Sequence, residues 1–240
     1  MSIEDHVPGP LKHPYRRLRS LLKNRMLGSS NAEVFDSVYR RGLWGQTVGR
    51  DVCSGPGYDP AAAPYVTFVR NFIAERGIRN LVEIGCGDFE IGQRYADAVQ
   101  SYVGVDVSSY VIERNRRTFS RGGISFEQAD ASERDRPAAD LCIIRHVLQH
   151  LDNATIGKIL DRVKVHKFVL VTEHLPEPSR LLAPNFDKRP GPDTRLTFNS
   201  GVYLEHPPFN RKGETMLNLP VSEPQAGPGE IMRTTLLVNA

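Results

Sequence analysis

Cysteine is scarce in this chain. The three residues, Cys53, Cys86 and Cys142, cannot all pair with one another and form no CxxC motif. Free thiols in a reducing compartment follow, and a cytoplasmic location is expected. Long apolar runs are missing too. None approaches the roughly 18 residues that a membrane span needs. The N-terminus lacks a continuous apolar segment and a small-residue cleavage site, so no signal peptide is expected. Tryptophan occurs once, at Trp44. The basic residues near the N-terminus have little aromatic interleaving, which argues against a nucleic-acid partner.

What remains is ordinary globular material. The 240 residues are 40% hydrophobic and 25% charged, which suits one large α/β domain or one domain with an extra segment. The net charge of +3 hides an asymmetry. Lys12, Arg16, Arg17, Arg19, Lys23 and Arg25 crowd into residues 11–26 without an acid, leaving the remainder net acidic at −3. The plain reading is a solvated, partly helical arm that packs Leu18, Leu21 and Leu22 on the domain. An anionic partner (a phosphorylated substrate or a membrane surface) and a homodimer contact are the alternatives.

Residues 1–58 read as an N-terminal extension, with a short helix around Glu33–Arg41 and a Gly/Pro loop from Gly42 to Pro60. The remainder, 59–240, reads as one domain. Tyr65, Phe68, Val69, Phe72 and Ile73 fall on one face of a helix that Gly77 ends. Short apolar runs then alternate with helical patterns. Strands are predicted at Leu81–Gly85, Tyr102–Asp106, Ile124–Gln128, Leu141–Ile144 and Phe168–Thr172. Helices are predicted at Phe89–Val99 and Ser108–Phe119, and from a cap at Asp152 or Asn153 through Val163. Such alternation implies βαβ units around a parallel sheet covered on both faces. Gly201–Glu205 and Met232–Asn239 look strand-like with no crossover helix between them, so an antiparallel hairpin is expected at the sheet edge. The fold class is thus α/β: a doubly wound, Rossmann-like, mostly parallel seven-stranded sheet with an antiparallel C-terminal edge strand and an N-terminal helical extension.

The most informative stretch is Leu81-Val82-Glu83-Ile84-Gly85-Cys86-Gly87-Asp88. A strand runs into a glycine turn, where the missing Cβ lets the backbone turn sharply and approach a ligand. In open α/β sheets, ligands bind beyond the C-terminal strand ends near the switch in strand order. Asp106 closes the next strand, 21 residues after Gly85, where a carboxylate can accept from both ribose hydroxyls of a nucleoside. A dinucleotide site wants GxGxxG, but the next glycine after Gly87 is Gly92. Asp88 would also set an anion where pyrophosphate should sit. S-adenosylmethionine carries no phosphate and has a sulfonium and an ammonium, which Glu83 and Asp88 suit.

These residues resemble the class I S-adenosylmethionine-dependent methyltransferase family. The matching stretches are VEIGCGD (82–88), YVGVDVS (102–108), FEQADAS (126–132), DLCIIRHVLQHL (140–151) and KFVLVTEH (167–174). The flanks resemble a bacterial subgroup with the VLQH motif, which suggests sugar O-methyltransferases. They are Trp44-Gly45, Ser54-Gly55-Pro56-Gly57, Asn185-Phe186-Asp187 and Pro208-Phe209. Carried over by position, the resemblance implies that Glu83, Gly85, Cys86 and Gly87 line the methionine part of the cofactor. It implies that Asp106 holds the ribose, Val107 lies against the adenine, and Asp130 and Ala131 sit at the adenine edge. Arg145 and His146 would follow the fourth strand, where the methyl group points. Subgroup members often carry an acid where this chain has His146.

A hydroxyl acceptor must lose its proton as the new bond forms, and histidine suits that role near neutral pH. His146, His150 and His174 are the candidate bases. His146 comes first because it directly follows the strand; it would share a helix face with His150 if 145–151 were helical. A divalent ion on His146, His150, Glu173, His174 and Asp187 is a weaker reading, since HxxxH lacks the glutamate of HExxH. No metal is therefore assigned. The Asn/Asp-Pro-Pro-Tyr/Phe motif of amino-directed nucleic-acid enzymes is absent, that place reading Ile144-Arg145-His146-Val147. The insert 175–210 reads as an acceptor lid, rich in hydrogen-bonding groups: Arg180, Asn185, Asp187, Arg195, Tyr203 and His206. With Trp44 or Tyr203 to stack on a sugar face, a saccharide is the expected acceptor. A natural-product hydroxyl, a non-catalytic S-adenosylmethionine-binding protein and a nucleotide-dependent oxidoreductase are the rivals.

Overall fold

The computed structural model describes residues 14–45, 62–221 and 227–239, except residues 16, 17, 21 and 23. The Ser54–Gly57 entry loop expected above lies outside them. Helix α1 (Asn31–Arg40) belongs to the N-terminal extension and α2 (Ala62–Arg76) precedes the sheet. Then come β1 (Asn80–Ile84), β2 (Ser101–Asp106), α3 (Ser109–Phe119), β3 (Ile124–Gln128) and β4 (Leu141–Arg145). Helix α4 (Asn153–Arg162), β5 (Phe168–Leu175), β6 (Glu214–Pro220) and β7 (Ile231–Val238) complete the order.

The seven strands form one sheet in the order β3-β2-β1-β4-β5-β7-β6. β1 to β5 are parallel, and β7 runs antiparallel between β5 and β6. The expected doubly wound architecture is present. Alternation along the strands explains the two cores. Leu141 and Ile143 of β4 pack on the face carrying Tyr65, Val69 and Phe72 of α2 and Val111 and Ile112 of α3. Cys142 and Ile144 pack on the other, against Val34 and Val38 of α1 and Ile156, Ile159 and Leu160 of α4. Strand order reverses between β1 and β4, so a cleft opens at their C-terminal ends.

The caps are legible. Ser30 and Glu33 form a capping box on α1, and Ser108 caps α3. Asp152, not Asn153, caps α4 by accepting from the Thr155 amide at 2.7 Å.

Several expectations fail locally. The segment 89–99 holds two 3₁₀ turns, Gly92–Arg94 and Ala96–Ala98, in place of a helix. Phe89 adopts φ +63° and wedges its ring among Tyr102, Phe119 and Phe126. Gly92 passes so close to β1 that a Cβ there would sit 2.7 Å from Glu83 Oε2. A regular helix cannot meet both constraints. Residues 201–205 are not a strand. The Asn185 side chain takes the place of a neighbouring strand, accepting from the Tyr203 amide and donating to the Tyr203 carbonyl, both at 2.8 Å. The hairpin partner of β7 is instead β6, whose partly exposed residues and terminal Pro220 suit a sheet edge while Met216, Leu217 and Leu219 pack on the core.

Of the expected apolar face of the arm, Leu21 lies outside the described residues and the other two leucines do not pack on the domain. Leu18 and Leu22 are 58% exposed, whereas Ser20 and Asn24 are buried. Asn24 fills the space beside Gly191, where a Cβ would lie 2.4 Å from its amide group. A polar side chain thus docks this segment on the insert.

Candidate active site

The cleft at the β1/β4 reversal encloses about 1020 Å³. Glu83, Gly85, Cys86, Gly87, Asp106, Val107, Asp130, Ala131 and Arg145 all line it, as do His146, His150 and His174. The nine cofactor candidates and the three candidate bases therefore meet in one place.

The glycine turn is built as its chemistry requires. Gly85 and Gly87 adopt φ +71° and +51°. A Cβ on Gly85 would lie 2.2 Å from Val147 Cγ2, so this position also depends on close passage of the loop after β4. Both the Gly85 and Cys86 amides donate to the Val105 carbonyl, at 2.7 and 3.0 Å. Cys86 turns its side chain inward: Sγ lies 4.0 Å from Asn115 Nδ2, within the core. It faces the cleft only as backbone.

Three carboxylates stand around the turn. Asp106 is buried and accepts from the Gly87 amide at 3.2 Å and the Ser108 amide at 2.9 Å. Burial nevertheless pushes its pKa up to about 6, because two amide bonds do not replace bulk water. Glu83 is raised to about 7 by burial, against the opposing pull of hydrogen bonds from Tyr102 and Tyr95 and the charge of Arg145. The Tyr102 hydroxyl lies 2.5 Å from Glu83 Oε2. Asp130 accepts from the Ser132 amide and hydroxyl and from Asn31 Nδ2 at 2.9 Å. The first residue of α1 is thereby tied to the far end of the cleft. Arg145 lies over the Tyr65 ring, 5.2 Å from its centroid, and its Nε is buried without a hydrogen-bond partner.

The histidines part company. The residues after β4 do not form a helix. His146 adopts φ +55° and a single 3₁₀ turn, Leu148–His150, follows. The reason is Glu173, whose carboxylate accepts from the Leu148 and Gln149 amides at 2.9 and 3.2 Å. His146 and His150 therefore do not share a helix face. His146 faces His174, ring centroids 6.4 Å apart, and its Nε2 is buried with no partner. Burial first, then the charge of Arg145 and the neighbouring histidines, hold His146 well below the usual histidine value, so it is neutral at pH 7. His174 pairs through Nε2 with Glu230 at 3.1 Å. His150 bonds through Nδ1 to the Gly191 carbonyl at 3.2 Å and packs on Trp44, and burial with nearby Lys188 drives it down to about 3. It is a structural group.

The polar insert residues do not line the cleft: Asn185 and Arg195 are buried, Tyr203 is half-buried, and Arg180, Asp187 and His206 are exposed. Arg195 is buried on the carbonyls of Phe186 and Leu151. Asp187 accepts from the Asn153 amide, and Tyr203 lies beneath the Arg233 guanidinium. What the insert presents to the cleft is Pro192, Thr194, Leu196 and Thr197. Trp44 does reach the cleft, with Nε1 donating to the Pro192 carbonyl at 3.2 Å. Glu173 and Asp187 are committed to backbone amides, so the weighed metal set is not assembled. Among the described residues, no group of three or more histidine, cysteine or acidic side chains is arranged to hold a metal. Sequence reasoning missed Gln149 and Glu230, which both line the cleft. The first lay inside the VLQH motif; the second had no motif signal.

Residues 82–166 match a family model described as a methyltransferase domain. No curated protein matches the sequence. Among solved structures, the N-methyltransferase NodS from Bradyrhizobium japonicum WM9, in complex with S-adenosyl-L-homocysteine, is similar in fold. It matches with TM-score 0.54 at 16% identity, over 76% of this chain and 89% of that one. Human N-acetylserotonin methyltransferase, in complex with SAM, matches with TM-score 0.53 at 15% identity, over 94% of this chain and 67% of that one. The chain carries a methyltransferase domain on the fold of the S-adenosylmethionine-dependent methyltransferases. Among the described residues, no helix is long and apolar enough to cross a membrane.

Proposed function

We propose that the chain transfers a methyl group from S-adenosylmethionine to a hydroxyl of a small polar acceptor, a sugar or oligosaccharide, with His146 as general base. The observation that carries this reading is His146 itself: a neutral imidazole in the cleft, just past the end of β4, with a buried, unpartnered Nε2.

The residues present fit the cofactor. The positive-φ glycines Gly85 and Gly87 present bare backbone at the turn, with the Val147 side chain packed against Gly85. Asp106 can accept from the ribose hydroxyls, Asp130 reaches the adenine edge, and Val107 and Ala131 give that edge apolar walls. Glu83 complements an ammonium and Arg145 a carboxylate, so the two oppose the charges of an amino-acid zwitterion. When bound, the cofactor supplies an activated methyl on a sulfonium. The protein then has to orient the acceptor and take its proton. His146 accepts that proton at Nε2 as the C–S bond breaks and the C–O bond forms. Because its basicity is depressed, it stays unprotonated through the neutral range and releases the proton readily. His174 faces it and is itself paired with Glu230 at 3.1 Å.

A methyl-transfer screen with labelled cofactor, run over mono- and oligosaccharides with and without EDTA, tests the proposal. Product on a sugar hydroxyl is expected, independent of EDTA. Label appearing only on amines or proteins would sink the sugar reading. His146→Ala should lose kcat by about 10²–10⁴-fold while keeping S-adenosylhomocysteine affinity. Loss of binding with unchanged turnover at saturation would exclude it as the base.

A further inference from the structure

Besides Arg145 Nε and His146 Nε2, the cleft contains a buried, unpartnered acceptor, Gln149 Oε1. Gln149 is 5% exposed and lines the same cleft as His146, three residues further along the loop. Its orientation is set by a chain of bonds. The Gly191 amide donates to the His150 carbonyl at 3.0 Å, and the Gly191 carbonyl faces His150 Nδ1 at 3.2 Å. A carbonyl can only accept, so Nδ1 carries the imidazole hydrogen. His150 Nε2 is then a bare acceptor. Gln149 Nε2 stands 3.5 Å from it, the side-chain amide turned with its nitrogen toward the ring. The flipped amide would set oxygen against nitrogen lone pair. Gln149 Oε1 is therefore held away from His150 as a fixed acceptor.

We propose that Gln149 is a specificity-determining residue that accepts a hydrogen bond from a second hydroxyl of the methyl acceptor, while His146 takes the reacting one. The inference rests on the acceptor reading above and sharpens it. Two buried acceptors without donors ask for a ligand bearing two donors, which is the chemistry of a polyol. They disfavour one that presents a carbonyl or carboxylate at that wall. His150 acts here as a positioning residue, through its tautomer. Gly191 completes the arrangement, since any side chain there would strike Asn24.

The full chain loaded with S-adenosylhomocysteine, titrated with methyl pyranosides and their monodeoxy analogues by saturation-transfer NMR, tests this. The unaltered protein should bind a parent glycoside about tenfold or more tighter than one of its deoxy analogues. Gln149→Met should bind the two equally, with S-adenosylhomocysteine affinity and melting temperature unchanged. If Gln149→Met keeps the discrimination, the proposal is wrong although the saccharide reading stands. If the unaltered protein binds no glycoside, the saccharide reading itself falls. Nitrogen-15 spectra of His150 give an arm free of any acceptor. The Nδ1–H tautomer is expected, and the Nε2–H form would overturn the orienting chain.

Discussion

Removing the Asp106 carboxylate is the sharpest test of how the cleft holds its cofactor. In the proposed complex the two ribose hydroxyls donate to a buried anion. A hydrogen bond to a charged group contributes about 1.5–3 kcal/mol. Allowing for the amide bonds the carboxylate already accepts from Gly87 and Ser108, a net loss of about 3 kcal/mol is expected for Asp106→Ala. That corresponds to about 150-fold weaker S-adenosylhomocysteine binding, read by titration calorimetry. Asp106→Asn is not a gentle control. One carbonyl oxygen can serve only part of the two amides, and the new NH₂ group would face a donor.

The pH dependence adds an independent check. Burial raises Asp106 to about 6 in the free protein. Hydroxyl donors favour the charged form, so bound ribose lowers that value. The Asp106 contribution to affinity is then full above pH 6 and falls as pH drops through 6, by up to about tenfold per pH unit. Glu83, at about 7, contributes a higher step that Glu83→Gln removes. A less than threefold change in affinity for Asp106→Ala, with melting temperature intact, would refute the reasoning.

Gly85→Ala should lower the melting temperature by several degrees, since a residue with φ +71° gains a Cβ 2.2 Å from Val147. Adding Val147→Ala should restore the steric part and leave the backbone strain, which a double-mutant cycle measures. Asn185→Ala should destabilise the fold by about 2–3 kcal/mol in urea titration. It strips hydrogen bonds from the Tyr203 and Pro207 carbonyls and the Tyr203 amide in a buried setting. Trp44→Ala should raise the acceptor KM and quench nothing beyond the single tryptophan signal. The ring joins Phe35 and Tyr39 to His150, and its Nε1 bonds Pro192 on the insert.

Much of this architecture was legible in the sequence, for a physical reason. Buried parallel strands are short apolar runs, and β1, β2, β4 and β5 carry little else. Helix caps announce themselves through Ser30, Ser108 and Asp152. The glycine turn was readable because a backbone at positive φ restricts which residues it can use, and Asp106 because it closes the next apolar strand. The unreadable parts depend on long-range partners. Phe89 leaves the helical pattern because of aromatic rings 13, 30 and 37 residues further along. β6 interrupts its apolar residues Met216, Leu217 and Leu219 with Asn218 and ends at Pro220, so it lacks the continuous apolar run of a buried strand. The insert seemed to offer Arg195, Asp187 and Tyr203 to a ligand. Composition cannot distinguish polar groups that meet substrate from those that satisfy buried carbonyls. Nor could spacing foresee that Glu173 would replace a helix after β4.

The placement of β7 bears on how the chain comes to life. The strand that covers the open edge of β5 is synthesised more than fifty residues after β5 ends. Until then a growing polypeptide exposes the main-chain donors and acceptors of a long apolar strand, the kind of edge that recruits a neighbour of its own type. Nascent chains stalled before Ile231 should therefore depend on chaperones, and those released a few residues beyond Val238 should not.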